Sequence, residues 1–154
     1  MIAAMKFMTR ELYQGLQNEP ASAEFANFDA RWKSACEAYR ARYQAIRMRL
    51  PTQMQRFSEE TLHDGKVRTV DRRSPSELVL VVDARQNPWG PRGIFRIRFT
   101  GVRLVEGTDN LVGDDWLYEE VDLHPDGGFD YRVMFWRSDF RIVADDVDVR
   151  ELSA

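Results

Sequence analysis

Glu119 is the first residue whose position in the sequence suggests chemistry. It lies in the strand-like pattern Trp-Leu-Tyr-Glu-Glu-Val-Asp-Leu, where alternation places it on one face with Leu117, Val121 and Leu123. If that face belongs to the core, the carboxylate must be paired, hydrogen-bonded or protonated there. Such a perturbed carboxylate is a candidate catalytic group, and the alternative is a core glutamate bound to an arginine or a tyrosine.

A second candidate for chemistry is the pair His63 and Asp64, which lies where helical sequence gives way to strand sequence. An imidazole beside carboxylates could act as a general base or as a metal ligand. The simpler alternative is structural, because Asp64-Gly65 can end a helix and His63 can hydrogen-bond the last carbonyl groups of that helix.

An enzyme or small-ligand binder would require these groups to converge. His63 and Glu119 would have to meet an arginine, Arg96 or Arg98, in one concave polar pocket. The chain contains no Gly-rich phosphate loop and no nucleophile elbow, and one cysteine with two histidines is too few for most zinc sites. We therefore expect no cofactor and no metal, and we favour a non-enzymatic function over an enzyme.

A long acidic stretch indicates that alternative function, the binding of a basic protein partner. Nine acids and no Lys or Arg occur between Leu104 and Tyr131, and Trp89 and Trp136 lie near this stretch in the sequence. Acids and aromatics together could form a surface for a protein partner. An immunity-type protein that neutralises a basic toxin would use such a surface. The predicted binding surface consists of Asp114, Asp115, Trp116, Tyr118, Glu120 and Asp122.

Basic residues concentrate earlier in the chain. Residues 31–56 contain seven bases and a single acid, Glu37. Attraction between this basic segment and the acidic strands within one fold is the alternative to a separate partner. Nucleic-acid binding is disfavoured, because the net charge is −3 and the aromatic residues of the basic segment lie on its apolar stripe.

Helices in the first part of the chain must position these residues. Thr9 can cap a short helix that runs to Gln17, and Ser22 can cap a long amphipathic helix that ends at Leu50, before Pro51. We expect its apolar stripe to pack on a sheet; the alternative is a homodimer formed through this helix. The stripe consists of Phe25, Trp32, Tyr39 and Ile46, with Cys36, Tyr43 and Leu50 alongside.

The second part of the chain has the patterns of antiparallel strands. An apolar run at 78–82 suits a central strand, residues 94–100 alternate between apolar and basic, and the turn sequence at 124–128 joins two strands in a hairpin. Beyond Thr100-Gly101 the apolar residues change parity, which predicts a β-bulge there.

These patterns predict an α+β fold in one domain, residues 1–154. Helices in residues 1–65 pack on an antiparallel sheet of about six strands in residues 66–154. A hydrophobic content of 44% is typical of a folded protein, and no window is apolar enough for a membrane span. The single cysteine, Cys36, rules out an internal disulfide, and we therefore expect a cytoplasmic protein.

Short motifs resemble those of a known family. Met5-Lys-Phe-Met-Thr-Arg-Glu-Leu-Tyr is similar to the opening of the bacterial family called domain of unknown function 4085. Leu62-His-Asp and Trp116-Leu-Tyr-Glu-Glu-Val are similar to its later landmarks, so the similarity runs from Met5 to about Val149 and suggests that residues 1–4 precede the true start. The resemblance implies an intracellular bacterial protein with a helical first part and a strand-rich second part. It supplies no activity and no catalytic residues.

Overall fold

The structure, a computed structural model, describes residues 5–152, and the expectation about residues 1–4 lies outside this range. Within it, the helices are α1 (Arg10–Gly15), α2 (Ala23–Ile46) and α3 (Thr52–Ser58), with a 3-10 turn at Arg47–Arg49. In this part of the chain, none of the helices is long and apolar enough to cross a membrane.

The predicted helix caps are confirmed. The Thr9 hydroxyl accepts the backbone N–H of Leu12 at the start of α1, and the Ser22 hydroxyl accepts the N–H of Phe25 at the start of α2. These bonds satisfy N–H groups that have no partner inside the helix, and each such cap is worth about 1 kcal/mol.

Antiparallel strands follow the helices, so the predicted α+β class is confirmed. The described chain contains eight strands in two sheets of four, ordered β1-β2-β3-β8 and β4-β7-β6-β5, rather than one sheet of about six. The strands are β1 (Lys66–Ser74), β2 (Glu77–Asp83), β3 (Ile94–Thr100), β4 (Leu104–Glu106), β5 (Trp116–Leu123), β6 (Phe129–Phe135), β7 (Asp139–Ala144) and β8 (Asp146–Leu152).

The chain changes sheet at the point where a β-bulge was predicted, and that prediction is wrong. β3 ends at Thr100 with its pairing to β2 and β8 in regular register, and β4 begins in the other sheet. Gly101 turns the chain with a φ of +62°, and a β-carbon there would overlap the side chain of Asp145. The change in apolar parity therefore marks a crossing between sheets, because the core lies on the other side of the new strand.

Both sheets contribute side chains to one apolar core. Phe95, Ile97 and Phe99 of β3 are buried in it, as their alternation predicts. Met54 and Phe57 of α3 pack into the same cluster. The other sheet supplies mostly aromatic and branched residues to this core: Trp116, Val121, Phe129, Tyr131, Val133, Phe135, Phe140 and Ile142.

The aromatic stripe of α2 lies against the outer face of β5 and β6, as predicted. Trp32, Cys36 and Tyr39 pack against a second apolar cluster that contains Leu117 of β5 and Met134 of β6. Met5 and Met8 complete this cluster. The Tyr39 hydroxyl also accepts the backbone N–H of Val121 at 3.0 Å, which links the helix to the edge of the sheet.

Candidate functional site

Six aromatic side chains form a continuous row along β5, hereafter the aromatic row. Its members are Trp89, His63, Tyr118, Trp32, Tyr13 and Trp136. Neighbouring ring centroids are 4.1 Å apart for His63 and Trp89, 5.3 Å for His63 and Tyr118, and 4.8 Å for Trp32 and Tyr118. Tyr13 continues the row, 6.0 Å from Tyr118 and 6.4 Å from Trp136. The two ends are open to solvent, since Trp89 is 65% exposed and Trp136 is 54% exposed.

A β-bulge in β5 determines which side chains join the row. Trp116 pairs with Phe135 and Tyr118 pairs with Met134, so Leu117 is an extra residue in this strand. Simple alternation, which placed Leu117 on the face of Glu119 and therefore Trp116 on the face of Tyr118, was wrong here: the extra residue leaves Leu117 and Tyr118 in the outer cluster and turns Trp116 into the core.

Glu119 lies on the inner side of β5 with the core residues Trp116 and Val121, as its position in the pattern suggested. Its Oε2 atom accepts hydrogen bonds from the Trp116 indole N–H at 3.0 Å and from the Thr61 hydroxyl at 3.4 Å. Burial raises the pKa of Glu119 to about 7, although both hydrogen bonds act in the opposite direction. The predicted alternative partners, an arginine or a tyrosine, are replaced by a tryptophan and a threonine.

His63 and Glu119 both hydrogen-bond to Thr61, but the imidazole ring of His63 lies on the opposite side of β5 from the Glu119 carboxylate. The Thr61 hydroxyl oxygen accepts the backbone N–H of His63 at 3.2 Å and donates to Glu119. The imidazole is on the outer side of β5, where its Nδ1–H donates to the Leu117 carbonyl oxygen at 2.6 Å. Its stacking on Trp89 leaves the ring 11% exposed.

The arginines of the enzyme hypothesis lie on a different sheet. Arg96 and Arg98 alternate with the buried residues of β3 and therefore project from the outer face of the first sheet. Arg98 donates to Glu77 at 2.7 Å, and Arg96 is 3.8 Å from Asp148. Thr61 thus hydrogen-bonds to both His63 and Glu119. Arg96 and Arg98 lie on the other sheet and contact neither of them. Among residues 5–152, no group of three or more His, Cys, Asp or Glu side chains could hold a metal ion.

Three residues of the predicted binding surface are buried. Asp114 and Trp116 are each 1% exposed and Glu120 is 4% exposed. The Asp114 carboxylate accepts the backbone N–H of Arg137 at 3.0 Å, and the next carbonyl, that of Asp115, accepts the N–H of Trp136 at 2.8 Å. Asp114 is therefore a positioning residue for the turn that carries Trp136, and it presents no charge to a partner.

Two further acids of that predicted surface form ion pairs within the chain. Asp115 is 3.1 Å from Lys66, and Asp122 accepts a bidentate interaction from Arg42 with a shortest distance of 2.9 Å. The second pair joins the basic helix to an acidic strand. Attraction within the fold accounts for these two acids, and Tyr118 alone of the predicted surface belongs to the aromatic row.

Glu120 fixes the segment that precedes α1. Its carboxylate accepts three backbone N–H groups, from Lys6 and Phe7 at 2.9 Å and from Met8 at 2.6 Å. Burial raises the pKa of Glu120, and the three donors offset part of that effect. The bonds hold the chain on the outer face of β5, directly before the helix that carries Tyr13.

Arg10 connects α1 to the other exposed end of the row. Its guanidinium donates to the carbonyl oxygens of Phe135 at 2.8 Å, Trp136 at 3.1 Å and Ser138 at 3.0 Å. It also pairs with Asp139 at 2.8 Å. A guanidinium has five donors in a fixed plane, so these four acceptors set the position of the turn relative to the helix.

The loop with Trp89 is held by a buried amide. Asn87 is 0% exposed, and its amide donates to the carbonyl oxygens of Thr61 at 2.7 Å and Pro91 at 3.0 Å. Its side-chain oxygen accepts the N–H of Trp89 at 3.1 Å. Gly90 allows this close approach, since a β-carbon there would overlap the Thr61 carbonyl oxygen.

Sequence reasoning missed Arg10, Tyr13 and Asn87 as parts of this site. The Asn-Pro-Trp-Gly-Pro pattern around Trp89 is typical of a loop, and an aromatic residue on a loop is the signal that could have identified this end of the row. Nothing in the local patterns indicates that this loop, α1 and the turn after β6 meet on one strand, because their contacts span up to 128 positions of the sequence.

The comparison with protein families covers most of the chain. A family model described as protein of unknown function (DUF4085) matches residues 12–143. No curated protein matches the chain. The matched span contains all six members of the aromatic row and the strands from β1 to β6. The chain therefore belongs to the DUF4085 family.

Proposed function

We propose that this chain is a non-enzymatic binding module that recognises a protein partner through its aromatic row. The observation that carries the proposal is the exposure of Trp89 and Trp136 at the two ends of one contiguous set of rings. Trp and Tyr dominate the binding energy of many protein interfaces, because each buries a large area and loses little rotamer freedom.

The rigidity of the row supports the same proposal. Asn87, Asp114 and Glu120 are buried polar groups, and each holds a different backbone segment next to the row. A surface ordered before the partner arrives loses less conformational entropy on binding. The separation of His63 and Glu119 from Arg96 and Arg98 supports a binding function rather than catalysis.

The nature of the partner and its compartment follow from the charge and the cysteine content. A protein partner is favoured over nucleic acid, since Arg42 and Arg47 of the basic segment are paired with acids of the same chain. The lone Cys36 supports a reducing compartment, and we propose a cytoplasmic location. The family resemblance supports a bacterial source.

Affinity capture with a matched pair of variants tests the proposal. The double substitution Trp89→Ala and Trp136→Ala removes both exposed ends of the row and few core contacts. The control, Met48→Ala with Leu152→Ala, removes two exposed apolar side chains elsewhere. From a lysate of the source organism, we expect the wild-type chain and the control to retain the same partner and the double tryptophan variant to lose it. Equal recovery by all three proteins would contradict the proposal.

A further inference from the structure

Asp64 supplies a carboxylate beside the aromatic row. Its Oδ1 atom is 3.6 Å from Nε2 of His63, and its side chain is 54% exposed. Burial and, after it, the charge of Asp64 raise the pKa of Tyr13, so the carboxylate also lies near that ring. Tyr118 lies between His63 and Tyr13 in the row. The exposed carboxylate of Asp64 therefore lies near the part of the row that contains His63, Tyr118 and Tyr13.

Two basic groups near the row have partners within the fold. Arg10 pairs with Asp139 at 2.8 Å, and Lys66 pairs with Asp115 at 3.1 Å. The Asp64 carboxylate, in contrast, accepts no hydrogen bond from the part of the chain that the structure describes, and the one basic side-chain nitrogen within 4 Å of it there is Nε2 of His63. Asp64 is thus available to an external cation.

The backbone at Asp64 is unusual. Its φ is +62°, and it is the one residue other than glycine with a positive φ among residues 5–152. Its N–H donates to the Trp116 carbonyl oxygen at 2.8 Å, so pairing with β5 holds it there. Glycine adopts this conformation most easily, and a side chain there carries a small cost in strain. Such an outlier is a reason to look for a function of the side chain.

We infer that Asp64 and the surrounding rings capture a cationic side chain of the protein partner, an arginine guanidinium or a lysine ammonium. The inference rests on the proposed function and specifies the chemistry of the ligand. Ring faces of Trp and Tyr attract cations through their quadrupole, and the carboxylate adds an ion pair. An apolar side chain would remove water from the Asp64 carboxylate and donate no hydrogen bond in return, which disfavours binding. One carboxylate and one imidazole are too few ligands for a metal ion.

Nuclear magnetic resonance with small probes tests this inference. The probes are N-acetyl-arginine amide and N-acetyl-lysine amide, and the neutral control is N-acetyl-citrulline amide, which has nearly the shape of the arginine probe. The chain has four tryptophans, and the indole N–H signal of the buried Trp116 is an internal reference. We expect saturable shifts of the Trp89 signal with the arginine or the lysine probe, at the millimolar affinity typical of ligands this small. The tighter of the two identifies the preferred cation.

The substitution Asp64→Asn tests the role of the charge. Asparagine also tolerates a positive φ, so the variant keeps its backbone conformation. We expect it to bind the cationic probe about tenfold more weakly, as the loss of a charge-assisted contact predicts. The control is Asp126→Asn, which neutralises an exposed acid in the turn before β6 and should bind like the wild-type chain.

Three results would overturn the inference: no saturable shift, equal binding of the citrulline probe, or an unchanged affinity in Asp64→Asn. Its failure can be separated from failure of the proposed function. If Asp64→Asn still captures the partner and the double tryptophan variant does not, the row binds a protein without a cation at Asp64. If the double tryptophan variant also captures the partner, the proposed function itself is wrong.

Discussion

The side-chain amide of Asn87 donates to the carbonyl oxygen of Thr61 at 2.7 Å, and the hydroxyl of the same Thr61 donates to Glu119 at 3.4 Å. Thr61 therefore joins the loop of Trp89, which reaches the surface, to a carboxylate that also accepts the indole N–H of the core residue Trp116. His63 also depends on this residue, because its N–H donates to the Thr61 hydroxyl oxygen. One end of the aromatic row is thus positioned by a short chain of hydrogen bonds that begins in the core.

Asn87→Ala should destabilise the fold and loosen one end of the row. The substitution removes three hydrogen bonds of a fully buried side chain and leaves two carbonyl oxygens with fewer donors, at a cost of about 2 kcal/mol. Urea unfolding measures that cost, and relaxation of the Trp89 indole signal measures the gain in mobility. Gln86→Ala changes the exposed neighbour and should be neutral within about 0.5 kcal/mol. Equal stability of the two variants would contradict the role of Asn87.

Glu119 should make the stability depend on pH. Burial raises its pKa from 4.5 to about 7 in the folded state, so the unfolded chain releases its proton first as the pH rises. The free energy of unfolding should therefore fall between about pH 4.5 and pH 7, by about 3 kcal/mol at most. Glu119→Gln should remove this part of the pH dependence and be more stable than the wild-type chain at pH 8.

Urea unfolding at a series of pH values measures the effect, and the difference between the wild-type chain and Glu119→Gln isolates it from other titrations. Glu60→Gln, which changes an exposed acid, should follow the wild-type curve. If the free energy of unfolding depended on pH in the same way for the wild-type chain and Glu119→Gln, the pKa of Glu119 would be the same in the folded and unfolded states, which would contradict this prediction.

Glu120→Gln should release the segment before α1. The amide keeps an acceptor oxygen but loses the charge that receives three backbone N–H groups, so we expect a loss of about 1–3 kcal/mol. The rate of hydrogen exchange at the Met8 amide should rise by at least the factor that corresponds to the loss in the free energy of unfolding. Glu37→Gln on the exposed face of α2 is the control. Unchanged exchange at Met8 would mean that apolar contacts alone hold this segment.

The chain should be a monomer of 18.0 kDa in dilute solution. Trp32 and Tyr39 of the α2 stripe already contact the outer face of β5 and β6 in the same chain, so the apolar surface proposed for a homodimer is occupied. Light scattering over a range of protein concentrations measures the mass. A stable species of twice that mass would show that the long helix, or another surface, joins two copies.

Local patterns predicted most of the elements and few of their contacts. The caps at Thr9 and Ser22, the α2 stripe and the alternation of β3 are properties of neighbouring residues, and all are confirmed. A crossing at Gly101 and a bulge at Leu117 both shift the parity of apolar residues in the same way along the sequence. Parity therefore could not distinguish a change of sheet from an extra residue within a strand.

The candidate site was harder to predict for a related reason. Acidic residues suggested an exposed surface, but Asp114 and Glu120 use their carboxylates to bind backbone N–H groups of distant segments. A local sequence pattern shows that an acid is present and does not show which distant N–H groups surround it. Trp89 and Trp136 were recognised near the acidic stretch, and their contact through Tyr118 and Tyr13 required the fold.

Site-specific photo-crosslinking shows whether the aromatic row contacts a partner. A photoreactive phenylalanine analogue is placed at position 89 or 136 of the chain in its source organism. The control position is 48, an exposed residue of the 3-10 turn that does not belong to the aromatic row. We expect one and the same covalent partner from positions 89 and 136 and no such product from position 48. Partner adducts from position 48 alone, or none from positions 89 and 136, would contradict it.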